Sequence, residues 1–327
     1  MIRVTIYILA SLAFIIVGIA VYASILFFGG DKLVVSFEDI ELSGNIENYI
    51  FEKESAIQNI APKATKEIIW QDKLIKSATE YSIIFIHGFS TTSYIHEESV
   101  KKIADSLNAN VFFTRLSGHG ASYEGLDKLT AENLLRDTAE AVEIGSRIGN
   151  KVILIGHSLG GALSTLVSSD VNLQKKIHGL VLFAPGNSGL SRMTPLMAFA
   201  ALFLNKIEND PVEAFQLPVN QNWDKHFFTT LDTSVFFEAS KVIMATDEVN
   251  YQSITMPLIV FYDENDILVN DGKLRKNYEK WGGLKELHKI EASKSDPTRH
   301  MFPSSYINPH LDEQFVLKIK TWANKNL

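Results

Sequence analysis

One short stretch in the middle of the chain most constrains its fold: Lys-Val-Ile-Leu-Ile-Gly-His-Ser-Leu-Gly-Gly, residues Lys151 to Gly161. The run Val152 to Ile155 consists of Val, Ile and Leu, as expected of a central parallel strand that is buried on both faces. Small and apolar residues follow at helical spacing, which indicates a helix. The sequence therefore predicts a strand that turns sharply into a helix at Ser158.

Two glycines make such a sharp turn possible. Gly156 and Gly160 carry no side chain, so the strand and the helix can approach each other closely. The hydroxyl of Ser158 would stand clear of the sheet beside the N–H groups of a helix N-terminus, which stabilise negative charge. A Gly-x-Ser-x-Gly pattern in this setting predicts a nucleophile elbow with Ser158 as the nucleophile. In the alternative interpretation, Ser158 only caps the helix of a tight turn.

The composition limits the class of protein. The chain has 327 residues, of which 46% are hydrophobic, so it can bury a full α/β core and has room for an insertion. The net charge is −7 and no cluster of Lys and Arg occurs, which argues against nucleic acid as a partner. Without cysteine, disulfides, thiolate metal sites and a cysteine nucleophile are excluded. No His-Glu-x-x-His zinc pattern is present, and we expect neither a metal nor another cofactor.

The N-terminal region has the character of a membrane segment. From Val4 to Phe28 the chain carries no charged residue. As a helix, this run is long enough to cross a hydrocarbon core about 30 Å thick, and we predict a single transmembrane anchor. A cleaved signal peptide is the alternative, because Val21-Tyr22-Ala23 resembles a cleavage site, although the apolar run continues beyond it. Arg3 on one side and Lys32 on the other favour a cytoplasmic N-terminus and an extracytoplasmic catalytic domain.

Strand patterns alternate with helix patterns from about Glu67 onward, with helices expected at about Glu97 to Leu107 and about Ala131 to Ile148. This alternation predicts right-handed βαβ units and a mostly parallel sheet with helices on both faces. From Asn187 to Tyr251 the alternation stops and large apolar residues are frequent. An insertion of this length between two strands is too long for a bare loop, so we predict a helical cap that includes a helix at Leu196 to Leu204. Its apolar residues either line an acyl-binding cleft or only attach the cap to the core.

These patterns divide the chain into five parts. They are a transmembrane anchor at residues 1–30, a lead-in segment at 31–65, the first part of the core at 66–186, the cap insertion at 187–251 and the second part of the core at 252–327. We assign no chemistry to the lead-in segment, which either packs on the core or spaces it from the bilayer.

The chain from about Glu67 to its end resembles the α/β-hydrolase superfamily, and within it the monoacylglycerol lipase and lysophospholipase-like serine carboxylesterases. Four pieces match in order: His87-Gly88-Phe89, Leu116-Ser117-Gly118-His119-Gly120, Gly156 to Gly160, and a late Asp and His. The resemblance implies an α/β-hydrolase fold. It also implies a chain order of nucleophile, acid and base that Ser158, Asp266 and His300 satisfy.

The chemistry of the residues agrees with this assignment. A serine hydroxyl is a poor nucleophile until an imidazole accepts its proton, and the imidazole needs a carboxylate to fix its tautomer. Asp266 directly follows a strand, at the carboxyl edge where Ser158 also lies. Asp263 is the rival by position, and the family's turn has Gly where Asp263 stands and Pro where Ile267 stands. His300 lies in the loop before the last helix, where the family's base is expected.

Further roles follow from the resemblance. The backbone N–H groups of Phe89 and Leu159 are expected to form the oxyanion hole. Among the nine histidines, His87, His119 and His157 lie in the matching loops, where the family uses histidine to shape the backbone. We assign them supporting roles, and we expect His96 to lie in a loop.

The combined expectation is a membrane-anchored serine carboxylesterase or lipase that forms an acyl-enzyme on Ser158. Its substrate would be a lipid-like ester such as a monoacylglycerol or a lysophospholipid. Two alternatives stay open at this stage. The same triad also serves acyltransferases, thioesterases and amidases, and an inactive hydrolase fold can serve as a membrane-tethered binding protein.

Overall fold

The structure is a computed structural model of the 327-residue chain, and it describes residues 32–120, 128–188, 212–213, 226, 230–231 and 233–327. The chain divides into two compact units, Met1–Val34 and Val35–Leu327, and the elements below belong to the second. Within the described ranges, no helix has both the length and the apolar character needed to span a bilayer. The predicted anchor at Val4 to Phe28 lies outside those ranges and stays a prediction.

The described residues form a succession of strands and helices. The helices are α1 (Ile46–Ser55), α2 (Glu97–Leu107), α3 (Ala131–Ile148), α4 (Leu159–Ser169), α5 (Thr233–Ala245), α6 (Asp271–Lys280) and α7 (Asp312–Asn326). The strands are β1 (Glu67–Ile69), β2 (Thr79–Ile86), β3 (Asn110–Phe113), β4 (Gly149–His157), β5 (Ile177–Phe183), β6 (Val212–Glu213), β7 (Thr230–Leu231), β8 (Leu258–Tyr262) and β9 (Lys285–Lys289).

The main sheet is almost entirely parallel. Its strand order is β1-β3-β2-β4-β5-β8-β9. Only β1 runs antiparallel to its neighbour β3, and the other neighbouring pairs are parallel. The prediction of a mostly parallel sheet is therefore confirmed. Strand β4 lies at the centre of the sheet, so the turn that follows it is flanked by the loops after β2 and β5.

Helices cover both faces of this sheet. Successive side chains of a strand point to opposite faces, so each face has its own set of buried contacts. Ile83, Ile153 and alternate residues of the neighbouring strands belong to one buried cluster with apolar residues of α2 and α7. On the other face, α3 approaches so closely that a Cβ atom at Gly145 would lie 2.7 Å from the side chain of Ile84. Each fully buried Ile side chain contributes about 1.5–3 kcal/mol, so the two layers together stabilise the sheet.

The lead-in segment packs on the core. Asn45 caps helix α1 by accepting hydrogen bonds from the N–H groups of Glu47 and Asn48. At its C-terminal end, the carboxylate of Glu54 forms a buried ion pair with Arg115, in the loop after β3. Of the two alternatives for this segment, packing on the core is the one that is observed.

The described part of the cap region contains helix α5 and the short antiparallel pair β6 and β7. Helix α5 carries Phe236, whose ring lies 5.3 Å from the ring of Phe89. The helix predicted at Leu196 to Leu204 lies outside the described residues. The aromatic contact joins α5 to the loop that follows β2.

Candidate active site

Ser158 occupies a strained turn between β4 and α4. Its φ of 53° and ψ of −119° place it in a region that residues with a side chain rarely adopt. Two backbone hydrogen bonds hold it there: its N–H donates to Phe183 O at 3.0 Å, and its carbonyl accepts from Gly186 N at 2.7 Å. Strand β5 and the loop after it therefore fix the turn that presents the Ser158 hydroxyl.

The glycines of the motif are required by space. A Cβ atom on Gly160 would lie 2.1 Å from the carbonyl oxygen of Ile86. A Cβ atom on Gly156 would lie 2.6 Å from the carbonyl oxygen of Gly160. Because both neighbours are backbone atoms, a side chain at either position would push α4 away from the sheet.

Three residues from distant parts of the chain meet at this turn. The Oγ atom of Ser158 lies 2.8 Å from Nε2 of His300. Nδ1 of His300 lies 2.6 Å from Oδ2 of Asp266. The side chains of His300 and Asp266 are only 4% and 2% exposed. The structure thus brings together the three predicted triad residues in one continuous line of hydrogen bonds.

The bonds of Asp266 hold its carboxylate in this orientation. Its Oδ1 accepts hydrogen bonds from the N–H groups of Leu268 at 2.8 Å and Val269 at 3.2 Å, which leaves Oδ2 for His300. The rival Asp263 is directed elsewhere. Its Oδ1 accepts from Asn265 N and its Oδ2 from Ala292 N, each at 2.8 Å. Asp263 therefore organises the turn, and Asp266 contacts the imidazole.

The electrostatics of the site favour a positive charge on His300. Burial disfavours the imidazolium, but the charge of Asp266 and its hydrogen bond, together with the charge of Asp296, outweigh burial and raise the pKa of His300. The Asp266 carboxylate can only accept, so Nδ1 of His300 carries a hydrogen and Nε2 presents its lone pair to Ser158. This is the tautomer that a general base requires.

The two residues predicted for the oxyanion hole belong to the two segments that adjoin Ser158, the start of α4 and the loop after β2. Leu159 is the first residue of α4, whose first N–H groups have no acceptor within the helix. Phe89 lies in the loop after β2, and a Cβ atom on its neighbour Gly88 would lie 3.1 Å from Cβ of Ser158. His87 braces this loop, since its Nδ1–H donates to Gly88 O at 2.9 Å and its Nε2 accepts from Leu116 N at 3.1 Å.

Sequence reasoning missed Asp296 and misjudged His96. Asp296 is buried, and its Oδ2 accepts the N–H of Met301, next to His300, at 2.9 Å. The Asp-Pro-Thr pattern was a local signal for it, because Asp often accepts hydrogen bonds from the backbone two residues later, as it does here from Thr298 N at 3.0 Å. His96, expected in a loop, begins α2 as its N-cap residue and is fully buried. No local sequence signal predicts its contact with the carbonyl oxygen of Pro303.

Among the residues that the structure describes, no group of three or more His, Asp or Glu side chains is arranged to hold a metal ion.

Comparison with known proteins identifies the family. The model of the alpha/beta hydrolase family matches residues 83–269, which is more than half of the chain. The chain belongs to the α/β-hydrolase family. The family therefore agrees with the fold that the sequence predicted. The match ends before His300, so the placement of that residue comes from the structure.

A curated relative is named as an ester-cleaving enzyme. A putative esterase/lipase 2 of Mycoplasma pneumoniae is 32% identical over 108 residues, which cover 33% of this hydrolase and 38% of that protein. The chain thus aligns with less than half of that relative.

Solved structures share the fold at low sequence identity. A structure from work on the metagenome-derived lipolytic enzymes LipS and LipT has a TM-score of 0.60 at 16% identity and covers 80% of this chain and 100% of that one. A soluble variant of monoglyceride lipase from Saccharomyces cerevisiae, in complex with a substrate analog, has a TM-score of 0.59 at 15% identity and covers 83% and 98%. The monoacylglycerol lipase of Paleococcus ferrophilus has a TM-score of 0.56 at 15% identity and covers 80% and 99%. At these identities, the similarity establishes the fold.

Proposed function

We propose that this α/β hydrolase is a serine carboxylic-ester hydrolase of the esterase or lipase type, and that it works through an acyl-enzyme on Ser158. One observation carries the proposal: the unbroken line of hydrogen bonds from Ser158 Oγ through His300 to Asp266, with distances of 2.8 and 2.6 Å. A hydroxyl, an imidazole and a carboxylate in this order are the components of nucleophilic acyl transfer. The name of the curated relative, a putative esterase/lipase, supports the same class.

In the acylation step, Nε2 of His300 accepts the proton of Ser158 Oγ as the oxygen attacks the ester carbonyl carbon. The carbonyl oxygen becomes negatively charged and is stabilised by the N–H groups of Phe89 and Leu159, which contribute about 3 kcal/mol each. His300 then donates the proton to the leaving alcohol, and the Ser158 ester remains. Asp266 stabilises the imidazolium while it carries the proton.

In the second step, water replaces the alcohol. His300 accepts a proton from water, the hydroxide attacks the acyl carbon, and the carboxylic acid leaves as the proton returns to Ser158 Oγ. The balance is one ester and one water converted to one acid and one alcohol.

For the substrate, we propose a lipid-like ester of the monoacylglycerol or lysophospholipid kind. Two observations support it: two of the similar structures are those of monoacylglycerol lipases, and aromatic rings of Phe89 and Phe236 approach each other beside the nucleophile turn. In this proposal the two rings line the acyl site, where apolar side chains favour an apolar acyl chain over a charged one.

The decisive experiment uses a fluorophosphonate probe on the full-length protein, followed by mass mapping of the modified residue. We expect the label on Ser158 and hydrolysis of p-nitrophenyl esters by the wild-type protein. The Ser158→Ala substitution should lower kcat on the order of 10⁶-fold. Full activity of the Ser158→Ala protein would contradict the mechanism. A series of glycerol esters of increasing chain length then tests the lipid preference.

Further assays on the same protein separate the alternative functions. Product analysis with competing alcohols and amines distinguishes hydrolysis from acyl transfer, and thioester and amide substrates test the other bonds. A protein that neither labels nor hydrolyses any of them would be a binding protein with an inactive hydrolase fold.

We also propose that the protein is attached to a membrane with its catalytic domain on the extracytoplasmic side. The support is the uncharged run from Val4 to Phe28 in the sequence. Resistance of the full-length protein to extraction by alkaline carbonate, combined with protease accessibility from outside the cell, would support the anchor and its orientation. Release of the protein by carbonate would contradict the anchor.

A further inference from the structure

Two buried histidines outside the proposed triad contact the loop that carries His300. Nε2 of His157 lies 3.0 Å from the carbonyl oxygen of His300. Nδ1 of His96 contacts the carbonyl oxygen of Pro303. Their rings are adjacent, with 4.5 Å between the centroids of His96 and His157 and 5.0 Å between those of His157 and His300. The base loop is therefore attached by side chains to β4 and to the start of α2.

The protonation of His157 follows from its partner. A carbonyl oxygen can only accept a hydrogen bond, so Nε2 of His157 must carry the hydrogen. Nδ1 has no hydrogen-bond partner within the described part of the chain. It is enclosed on one side by Gly88, where an added Cβ atom would lie 3.0 Å from Nδ1. These contacts suit the neutral ring with its single hydrogen on Nε2.

The position of His157 in the chain gives this bond its importance. His157 directly precedes the nucleophile, and its side chain contacts the main chain of the base itself, although Ser158 and His300 are 142 residues apart. The bond therefore ties the residue that precedes Ser158 directly to the backbone of His300. A displacement of about 1 Å between a base and a nucleophile can cost about 10²-fold in rate.

We propose that His157 is a positioning residue, whose Nε2–H holds the His300 backbone so that the imidazole stays in line with Ser158 Oγ. The inference rests on the proposed function and deepens it. His157 touches neither the ester nor the reacting atoms, and it acts only through His300.

A neutral His157 also suits the reaction. During acylation His300 becomes positively charged, and a second positive ring 5.0 Å away would oppose that charge. Burial, together with the neighbouring His96 and His300, lowers the pKa of His157 well below its ordinary value.

The test exploits which ring nitrogen makes the bond. The amide nitrogen of Gln stands about as far along the side chain as Nε2 of histidine, whereas that of Asn corresponds to Nδ1. Met has the length of Gln but no donor. We expect His157→Gln to keep most of the wild-type kcat, and His157→Met and His157→Asn to lose about 10²-fold in kcat with little change in KM, because only the base is displaced.

His96 provides the matched control, since it donates from Nδ1. At this position the order should reverse, so that His96→Asn keeps more activity than His96→Gln. A second measurement uses the wild-type protein alone. The nitrogen-15 NMR spectrum of labelled histidine should show His157 as the tautomer with its hydrogen on Nε2. A hydrogen on Nδ1 of His157 would overturn the proposal.

The outcomes distinguish this inference from the function on which it rests. If the wild-type protein neither labels at Ser158 nor hydrolyses esters, the proposed function fails and the inference with it. If the wild-type protein is active and the folded Gln, Met and Asn variants of His157 share one kcat, only the inference fails. A loss confined to Met and Asn supports it.

Discussion

Glu54 of helix α1 and Arg115 of the loop after β3 form an ion pair with two hydrogen bonds. Oε2 of Glu54 lies 2.8 Å from Nε of Arg115, and Oε1 lies 2.8 Å from Nη2. The two side chains are 8% and 5% exposed. The same Oε2 accepts the N–H of Lys66 at 2.9 Å. Glu54 precedes the stretch that matches the family, so a segment outside that stretch is built into the interior of the hydrolase.

We expect Glu54→Gln to destabilise the protein. It leaves the Arg115 guanidinium buried without its carboxylate, and breaking a buried pair from one side costs about 3–5 kcal/mol. Urea unfolding of the purified protein measures the loss. Glu80→Gln is the control, because Glu80 pairs with Lys151 at 2.8 Å on the surface, where water and salt screen the charges. Equal unfolding curves for both variants would contradict the structural role of helix α1.

Activity should depend on pH through His300. The base must be neutral, so kcat/KM falls as the pH falls through the pKa of His300, which Asp266 holds above the ordinary value of 6.5. Asp266→Asn removes the charge that opposes burial. We therefore expect the acid limb of the profile to move to lower pH and the plateau of kcat to drop by about 10⁴-fold.

The control for this prediction is Asp263→Asn. Asp263 contacts main-chain N–H groups in the turn, and no bond from its side chain to His300 is present in the structure. Its substitution should weaken the turn without displacing the acid limb. If the acid limb of kcat/KM moves in Asp263→Asn and stays in place in Asp266→Asn, the assignment of the acid would be reversed.

Gly160→Ala should disrupt the nucleophile turn. The new Cβ atom would lie 2.1 Å from the backbone oxygen of Ile86, and neither α4 nor β2 can retreat without displacing Ser158. We expect loss of probe labelling together with a lower melting temperature. Gly272→Ala in helix α6 is the control, because its Cβ atom would lie 3.3 Å from a side-chain oxygen of Asn270. This contact is with a side chain, and no backbone atom of the described residues outside the helix lies within 4 Å, so Gly272→Ala should change stability far less than Gly160→Ala does.

Much of the fold was predictable because its signals are local. The bounds predicted for Glu97–Leu107 and Ala131–Ile148 agree with α2 and α3. In α3, the apolar stripe is preceded by Thr130, whose hydroxyl caps the helix by accepting from Asn133 N. The positions of Ser158 and Asp266 at the carboxyl edge followed equally from strand ends and motif spacing.

The parts that were not predicted depend on contacts between distant residues. Helix α1 has a mixed polar sequence without a clear apolar stripe, and it is held by the pair between Glu54 and Arg115, which are 61 positions apart. The bond from His157 joins residues 143 positions apart. No spacing rule for a single sequence connects such residues, because their proximity is a product of the completed fold.

The second carboxylate near the base provides a graded test of the electrostatics. Asp296 is buried, and its charge raises the pKa of His300 against the lowering effect of burial, by less than the charge and hydrogen bond of Asp266 do. Asp296→Asn should therefore move the acid limb of kcat/KM to lower pH by less than Asp266→Asn does. The Asn side chain also has one NH2 group where Asp has an oxygen, and this group cannot accept a hydrogen bond. It would face the N–H of Met301 or of Thr298, and the lost bond lowers the free energy of unfolding in urea by about 1–3 kcal/mol.

The matched control for Asp296 is Thr298→Val. It removes the hydrogen bond from Thr298 Oγ1 to Asp296 Oδ1, 2.7 Å long, and keeps the charge. If the charge of Asp296 acts on His300 through space, Thr298→Val lowers stability but leaves the acid limb in place, whereas Asp296→Asn moves it. Displacement of the limb by both variants would instead mean that the shape of the loop, and not the carboxylate, sets the pKa of the base.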